Sequence, residues 1–171
     1  MTDSLVLVGP MGAGKSTIAK ALAQKLHMQL LDIDQQVVDN AGADIPWIFD
    51  VEGEQGFRKR ETQALQQALA QPQAVIASGG GLVTQEINRK LLSQAKMVVY
   101  LMASVESQFH RTAKDKNRPL LQQENPKAVL QRLFQEREPW YRQVADIVVD
   151  TDSNNPKEIV QNIVKHWKAA S

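Results

Sequence analysis

Residues 9–16 read GPMGAGKS, a GxxxxGK[ST] phosphate-binding pattern, directly after the apolar run Leu5-Val6-Leu7-Val8. Gly9, Gly12 and Gly14 allow a tight turn that brings backbone amides up to bare phosphate oxygens. Lys15 adds a point charge for the outer phosphates, and Ser16 a hydroxyl for Mg2+. A helix expected from residue 17 to 26 would point its positive N-terminal end at the same anion. A second chemical cluster is Asp32 and Asp34 around Ile33. If all three continue a strand, period-two alternation sends both carboxylates the same way. A nucleotide-dependent kinase needs one acidic group for the water shell of Mg2+ and another to orient or deprotonate the attacking hydroxyl, roles that Asp32 and Asp34 fit. Asp34 could equally be a helix N-cap.

Three further groups stand at spacings open to two readings. Arg58 and Glu61, in a helix expected to begin near Glu54, could meet an acidic ligand or form an exposed i,i+3 ion pair. Gly79, Gly80 and Gly81 follow the apolar AVIAS, where three consecutive glycines imply that something approaches the backbone closely. Arg118, next to Pro119 in the polar segment 114–126, could swing in on a transferring phosphoryl group, whereas Arg137 could simply pair with Glu136 or Glu138. Met11, Trp47, Phe49 and Phe57 suit a pocket wall or a core.

The elements that must position these groups alternate. Short apolar strands are expected at 5–9, 29–33, 74–78, 97–101 and 146–149, separated by helical stretches, with a helix from about Ser104; this is the pattern of a parallel α/β sheet. Such sheets bind ligands at the carboxyl ends of their strands, where the phosphate loop, the aspartates and the glycine triplet fall. The 171 residues suit one domain, and 20 basic against 19 acidic side chains, net +1, give no field for nucleic acid. No signal peptide or membrane span is expected, which points to the cytoplasm. There is no cysteine, so thiol chemistry is excluded, and His27, His110 and His166 lack metal-ligand spacing.

Taken in order, GPMGAGKST, DID, GEQGFRKRE, SGGG, RPLL and the ERxPWY stretch resemble the shikimate kinase family over essentially the whole chain. The resemblance implies a three-layer P-loop kinase fold: a central five-stranded parallel sheet flanked by helices, in one domain over 1–171, with a lid at about 114–126 and a substrate-binding helical region at about 34–61. It implies ATP-dependent phosphorylation of the 3-hydroxyl of shikimate, in aromatic amino-acid biosynthesis. Asp34 would bind the shikimate hydroxyls and act as base, with Lys15 and Arg118 catalytic beside it. Arg58 and Arg137 would clamp the carboxylate, Glu61 would support Arg58, and Gly79, Gly80 and Gly81 would close on the ring. ATP would be held by Gly12, Ala13, Gly14, Lys15, Ser16, Thr17 and Arg118, with Arg111 and Pro156 on either side of the adenine. One Mg2+ per subunit would be bound by Ser16 and, through water, Asp32. ATP and shikimate are the expected partners, with no nucleic acid or membrane, and a monomer is expected.

Two departures from the family pattern stand out. Ala19-Lys20 replaces a Gly-Arg found in many relatives, and the DSNNP stretch at 152–156 lacks an arginine that some carry near adenine. A gluconate-type or nucleoside-monophosphate kinase would share the loop but not Arg58, Arg137 and the triplet. A nucleotide-sensing switch would have little use for the aspartate pair beside such a clamp.

Overall fold

The computed structural model of the protein describes residues 2–113 and 125–171. Strands β1 (Thr2–Val8), β2 (Gln29–Asp32), β3 (Ala74–Ala77), β4 (Ala95–Met102) and β5 (Ile147–Asp150) form one sheet in the order β2-β3-β1-β4-β5. Every pairing is parallel. The helices are α1 (Lys15–Leu26), α2 (Ile33–Ala41), α3 (Ile45–Leu69), α4 (Glu86–Leu92), α5 (Val105–Thr112), α6 (Pro126–Val144) and α7 (Pro156–Ala169), with a 3-10 turn at Leu82–Thr84. Among the described residues no helix is long and apolar enough to cross a membrane.

The Leu5–Val8 half of β1 reads as an unbroken apolar run because both its faces are covered. Leu5 and Leu7 pack with Ile18 and Leu22 of α1 and with Ile159, Ile163 and Trp167 of α7. Val6 and Val8 pack on the opposite face with Val37 of α2, Leu65 of α3 and Tyr141 of α6. Side-chain alternation along one strand therefore feeds two helical layers, giving the three-layer arrangement. With all four side chains from Leu5 to Val8 fully buried, β1 is the rigid stem from which the phosphate loop springs.

Several boundaries differ from those the sequence suggests. Strand β2 stops at Asp32, and α2 starts at Ile33, so Asp32 and Asp34 do not share a strand and alternation is not what brings them together. Asp32 is itself the N-cap, accepting from the amide of Gln35 at 3.2 Å; the capping oxygen holds the chain out of the strand one residue early. Helix α1 begins at Lys15, not Thr17. Helix α3 starts at Ile45, capped by Asp44. It bends at Gly53 (φ 74°, ψ 178°), so the expected start near Glu54 is the restart of the helix beyond that bend. The expected lid, 114–126, lies outside the described residues except for its end, where Asn125 caps α6 and Pro126 opens it.

Candidate functional site

The phosphate loop turns from β1 into α1 through two positions that only glycine fills. A Cβ at Gly9 would lie 2.4 Å from the carbonyl oxygen of Leu101, and Gly14, the N-cap of α1, is left-handed at φ 88°. Lys15 is buried, and its Nζ donates to the carbonyls of Gly9 and Pro10 at 2.7 Å each. The loop's own backbone thus sets where the ammonium sits at the helix N-terminus. Next to it, Ser16 Oγ donates to Asp32 Oδ2 at 3.1 Å. A hydroxyl and a carboxylate at that separation are hard oxygen donors, the chemistry suited to a divalent cation such as Mg2+ that keeps much of its water.

Across from the loop, Arg58 and Glu61 of α3 and Arg137 of α6 are 7%, 0% and 4% exposed. The exposed ion pairs open to both arginines on spacing alone are therefore not what the structure contains. Arg58 Nη1 meets Glu61 Oε1 at 3.0 Å, while Nε and Nη2 reach Glu54 Oε2 at 3.4 and 3.3 Å. Glu138, one of the two partners open to Arg137, instead accepts from Tyr100 and Arg142. Arg137 Nε and Glu61 Oε2 are buried without a hydrogen-bond partner. An orphaned guanidinium donor at that depth costs on the order of 1–3 kcal/mol, and a donor of this kind is normally matched to an acceptor.

The glycine triplet sits against these same groups. A Cβ at Gly79 would come within 2.8 Å of Asp34 Oδ1 and 3.2 Å of Glu61 Oε2; at Gly80, within 3.2 Å of the Met11 amide; at Gly81, within 2.4 Å of Arg58 Nη2. The close approach implied by three glycines is thus first of all to the protein's own charged side chains. Asp34, in the first turn of α2, meets the triplet at Gly79, while Arg137 Nη1 comes within 3.7 Å of a Cβ at Gly80. Burial, helped by the neighbouring charge of Asp34, pushes Glu61 up to about 7 against the pull of Arg58 and Arg137.

On the far side of the loop, Arg111 Nη1 donates to the carbonyl of Gly12 at 2.8 Å and lies 3.5 Å from Thr151 Oγ1. Pro156 is the first residue of α7, and with Thr17 it lines one cavity between α1 and α7. The DSNNP stretch is structural: Asn154 donates to the carbonyl of Asp150, and Asn155 caps α7. Ala19 is fully buried under β1. Arg118 lies outside the described residues. Met11 and Phe57 are buried, Phe57 with its ring 5.0 Å from that of Phe49 and tilted 41° to it, whereas Trp47 is 47% exposed. His27 ends α1 in a left-handed turn, His110 lies 3.7 Å from Glu106, and His166 contacts the carbonyl of Asn162. Sequence reasoning passed over Glu54, the second carboxylate on Arg58, and Tyr141, whose hydroxyl donates to the Gly80 carbonyl at 2.6 Å. The four-residue interval from Arg137 to Tyr141, one helical turn, was the available signal.

A phosphate loop at the carboxyl end of the central strand, a serine–aspartate pair beside it and two buried arginines against the glycine triplet make this a P-loop kinase in its build. The chain belongs to the shikimate kinase family, whose family model matches residues 11–168. Shikimate kinase of Pseudomonas paraeruginosa is 52% identical over 165 residues, covering 96% of each chain, and that of Marinomonas sp. is 49% identical over 163 residues, covering 94% of this chain and 90% of the relative. Among solved structures, shikimate kinase from Acinetobacter baumannii in complex with shikimate matches with a TM-score of 0.95 and 44% identity, over 99% of this chain and 94% of that one. The enzyme from Aquifex aeolicus matches with a TM-score of 0.83 and 32% identity, over 96% of both.

Proposed function

We propose that this chain transfers the γ-phosphoryl group of ATP to the 3-hydroxyl of shikimate, giving shikimate 3-phosphate and ADP, in cytoplasmic aromatic amino-acid biosynthesis. The observation that carries the reading is the partnerless Nε of Arg137, buried beside Arg58 and the glycine triplet. A small polyol bearing one carboxylate satisfies such a pocket, since two guanidinium groups hold and orient a carboxylate at once.

The triphosphate lies along the amides of Gly12, Ala13, Gly14, Lys15, Ser16 and Thr17, at the positive end of α1. Lys15 exchanges its loop carbonyls for the outer phosphates, and Arg111 and Pro156 enclose the base. Ser16, with Asp32 through water, would hold Mg2+, which would supply positive charge to neutralise the phosphates. Residues 34–61 form the acceptor region, in which Arg58, set by Glu61 and Glu54, and Arg137 fix the carboxylate. Gly79 and Gly80 leave room for the ring. Asp34 accepts the proton of the attacking hydroxyl as its oxygen bonds to the γ-phosphorus and the bond to the β,γ-bridging oxygen breaks. Arg118, from a lid at 114–126, neutralises charge on the moving group. All of these groups come from one chain, so the working unit is the monomer.

The test is ADP release with shikimate, gluconate, AMP or no acceptor. Turnover with shikimate alone is expected; turnover with gluconate or AMP but not shikimate overturns the reading.

A further inference from the structure

Tyr141 belongs to none of the groups assigned above to donor, metal or acceptor. It follows Arg137 by one turn of α6, so the two side chains leave the same helical face. Tyr141 is 1% exposed, its ring packs against Tyr100 with centroids 5.1 Å apart, and its hydroxyl donates to the Gly80 carbonyl oxygen at 2.6 Å. That tether matters because Gly79, Gly80 and Gly81 have no side chains to restrain their own backbone. No peptide bond among the described residues is cis. In a trans peptide the carbonyl and the following N–H point in opposite directions. A Gly80 carbonyl held toward Tyr141, a member of the buried core cluster, therefore turns the Gly81 N–H away from that ring, and Gly81 is the residue the Arg58 guanidinium packs against.

We propose that Tyr141 is a positioning residue for the acceptor, which by holding the Gly80 carbonyl aims the Gly81 amide at the acceptor's carboxylate between Arg58 and Arg137. The proposal rests on the shikimate reading above and adds a neutral, directional donor to two charged ones. Burial pushes the Tyr141 hydroxyl up to about 12, against the opposing charge of Arg137, so it keeps its proton and remains a donor throughout the neutral range. Losing one oriented hydrogen bond of this kind corresponds to roughly a tenfold change in binding.

The experiment starts from steady-state kinetics of the full-length enzyme. Wild-type turnover of shikimate is measured first, and its absence would sink the functional reading itself. With that in hand, Tyr141→Phe keeps the ring and removes only the hydroxyl. It is expected to raise the KM for shikimate about tenfold while kcat and the KM for ATP stay within about twofold. Placing 4-aminophenylalanine at position 141 restores a donor and should recover most of the loss. Independently of any variant, the Gly81 amide proton of the wild-type enzyme should move downfield on saturation with shikimate. An unchanged shikimate KM, a matching rise in the KM for ATP, or an unmoved Gly81 resonance each overturns the proposal.

Discussion

Gly81→Ala isolates the geometry of the arginine pocket from its chemistry. The backbone at Gly81 (φ −95°, ψ 4°) is open to alanine, so the substitution carries no conformational penalty of its own. The added methyl, however, would sit 2.4, 2.6 and 2.7 Å from Nη2, Nη1 and Cζ of Arg58. Non-bonded heavy atoms settle at about 3.5 Å or beyond, so the guanidinium must retreat by about 1 Å. That retreat strains the 3.0 Å contact with a fully buried Glu61, and overpacking of this kind costs about 1–3 kcal/mol of stability. A clamp displaced by ~1 Å loses up to ~100-fold in kcat/KM for the acceptor. The loss should fall mainly on the KM for shikimate, since a carboxylate clamp acts in ground and transition states alike, with the KM for ATP within about twofold of wild type. Gly42→Ala is the control. Its Cβ would meet nothing within 4 Å, but its φ of 68° makes alanine strained, so it should lower thermal stability by about 1 kcal/mol without changing either KM. Steady-state kinetics with each substrate varied, beside thermal melts, decide the matter. A Gly81→Ala enzyme with a shikimate KM within about twofold of wild type, or a Gly42→Ala enzyme with an equal rise, refutes the reasoning.

Asp34→Asn should lower kcat by about 100- to 10,000-fold with ATP affinity nearly unchanged, as measured by single-turnover phosphoryl transfer and equilibrium nucleotide binding; parallel losses in both count against a proton-accepting role. Ser16→Ala should raise the Mg2+ concentration needed for half-maximal rate by roughly tenfold or more, read from a metal titration at fixed ATP, and an unchanged titration removes Ser16 from the metal site. Glu61→Gln tests the buried carboxyl, whose pKa is raised from 4.5 to about 7 in the fold. A raised pKa favours the folded state at low pH, so this contribution is fully present below pH 4.5 and is lost as pH rises through about 7. Relative to Glu61→Gln, the wild type should therefore lose stability between pH 5 and 8, on the order of 3 kcal/mol at most. Chemical denaturation across that range should show the difference shrinking or reversing, and a flat difference contradicts the raised pKa.

How much of this was legible beforehand depends on how local each feature is. The phosphate loop could be read outright because its parts lie within eight consecutive residues, GPMGAGKS, and the backbone holds them together whatever packs around them. The apolar run ahead of it likewise announced a strand buried on both faces, and the alternation of strands and helices announced a parallel sheet. The break between Asp32 and Asp34 was less legible. A four-residue strand and a helix N-cap compete for the same residues, and the side chain of Asp32 settled the contest by taking the Gln35 amide. For Arg58, Glu61 and Arg137 the bare spacing favoured surface ion pairs, and only resemblance to a family argued otherwise.

Sequence alone thus determined the donor half of the protein: the loop, its lysine and serine, and the strand and helix on either side of it. Tertiary structure decided the acceptor half. Burial is not a property of a residue or of its neighbours in the chain but of the elements that close over it. Here α3, α6 and the turn after β3 converge from far apart in sequence, strip water from two guanidinium groups and leave one Nε unpartnered. That desolvation makes an ordinary pair of surface-type residues suited to hold an anion.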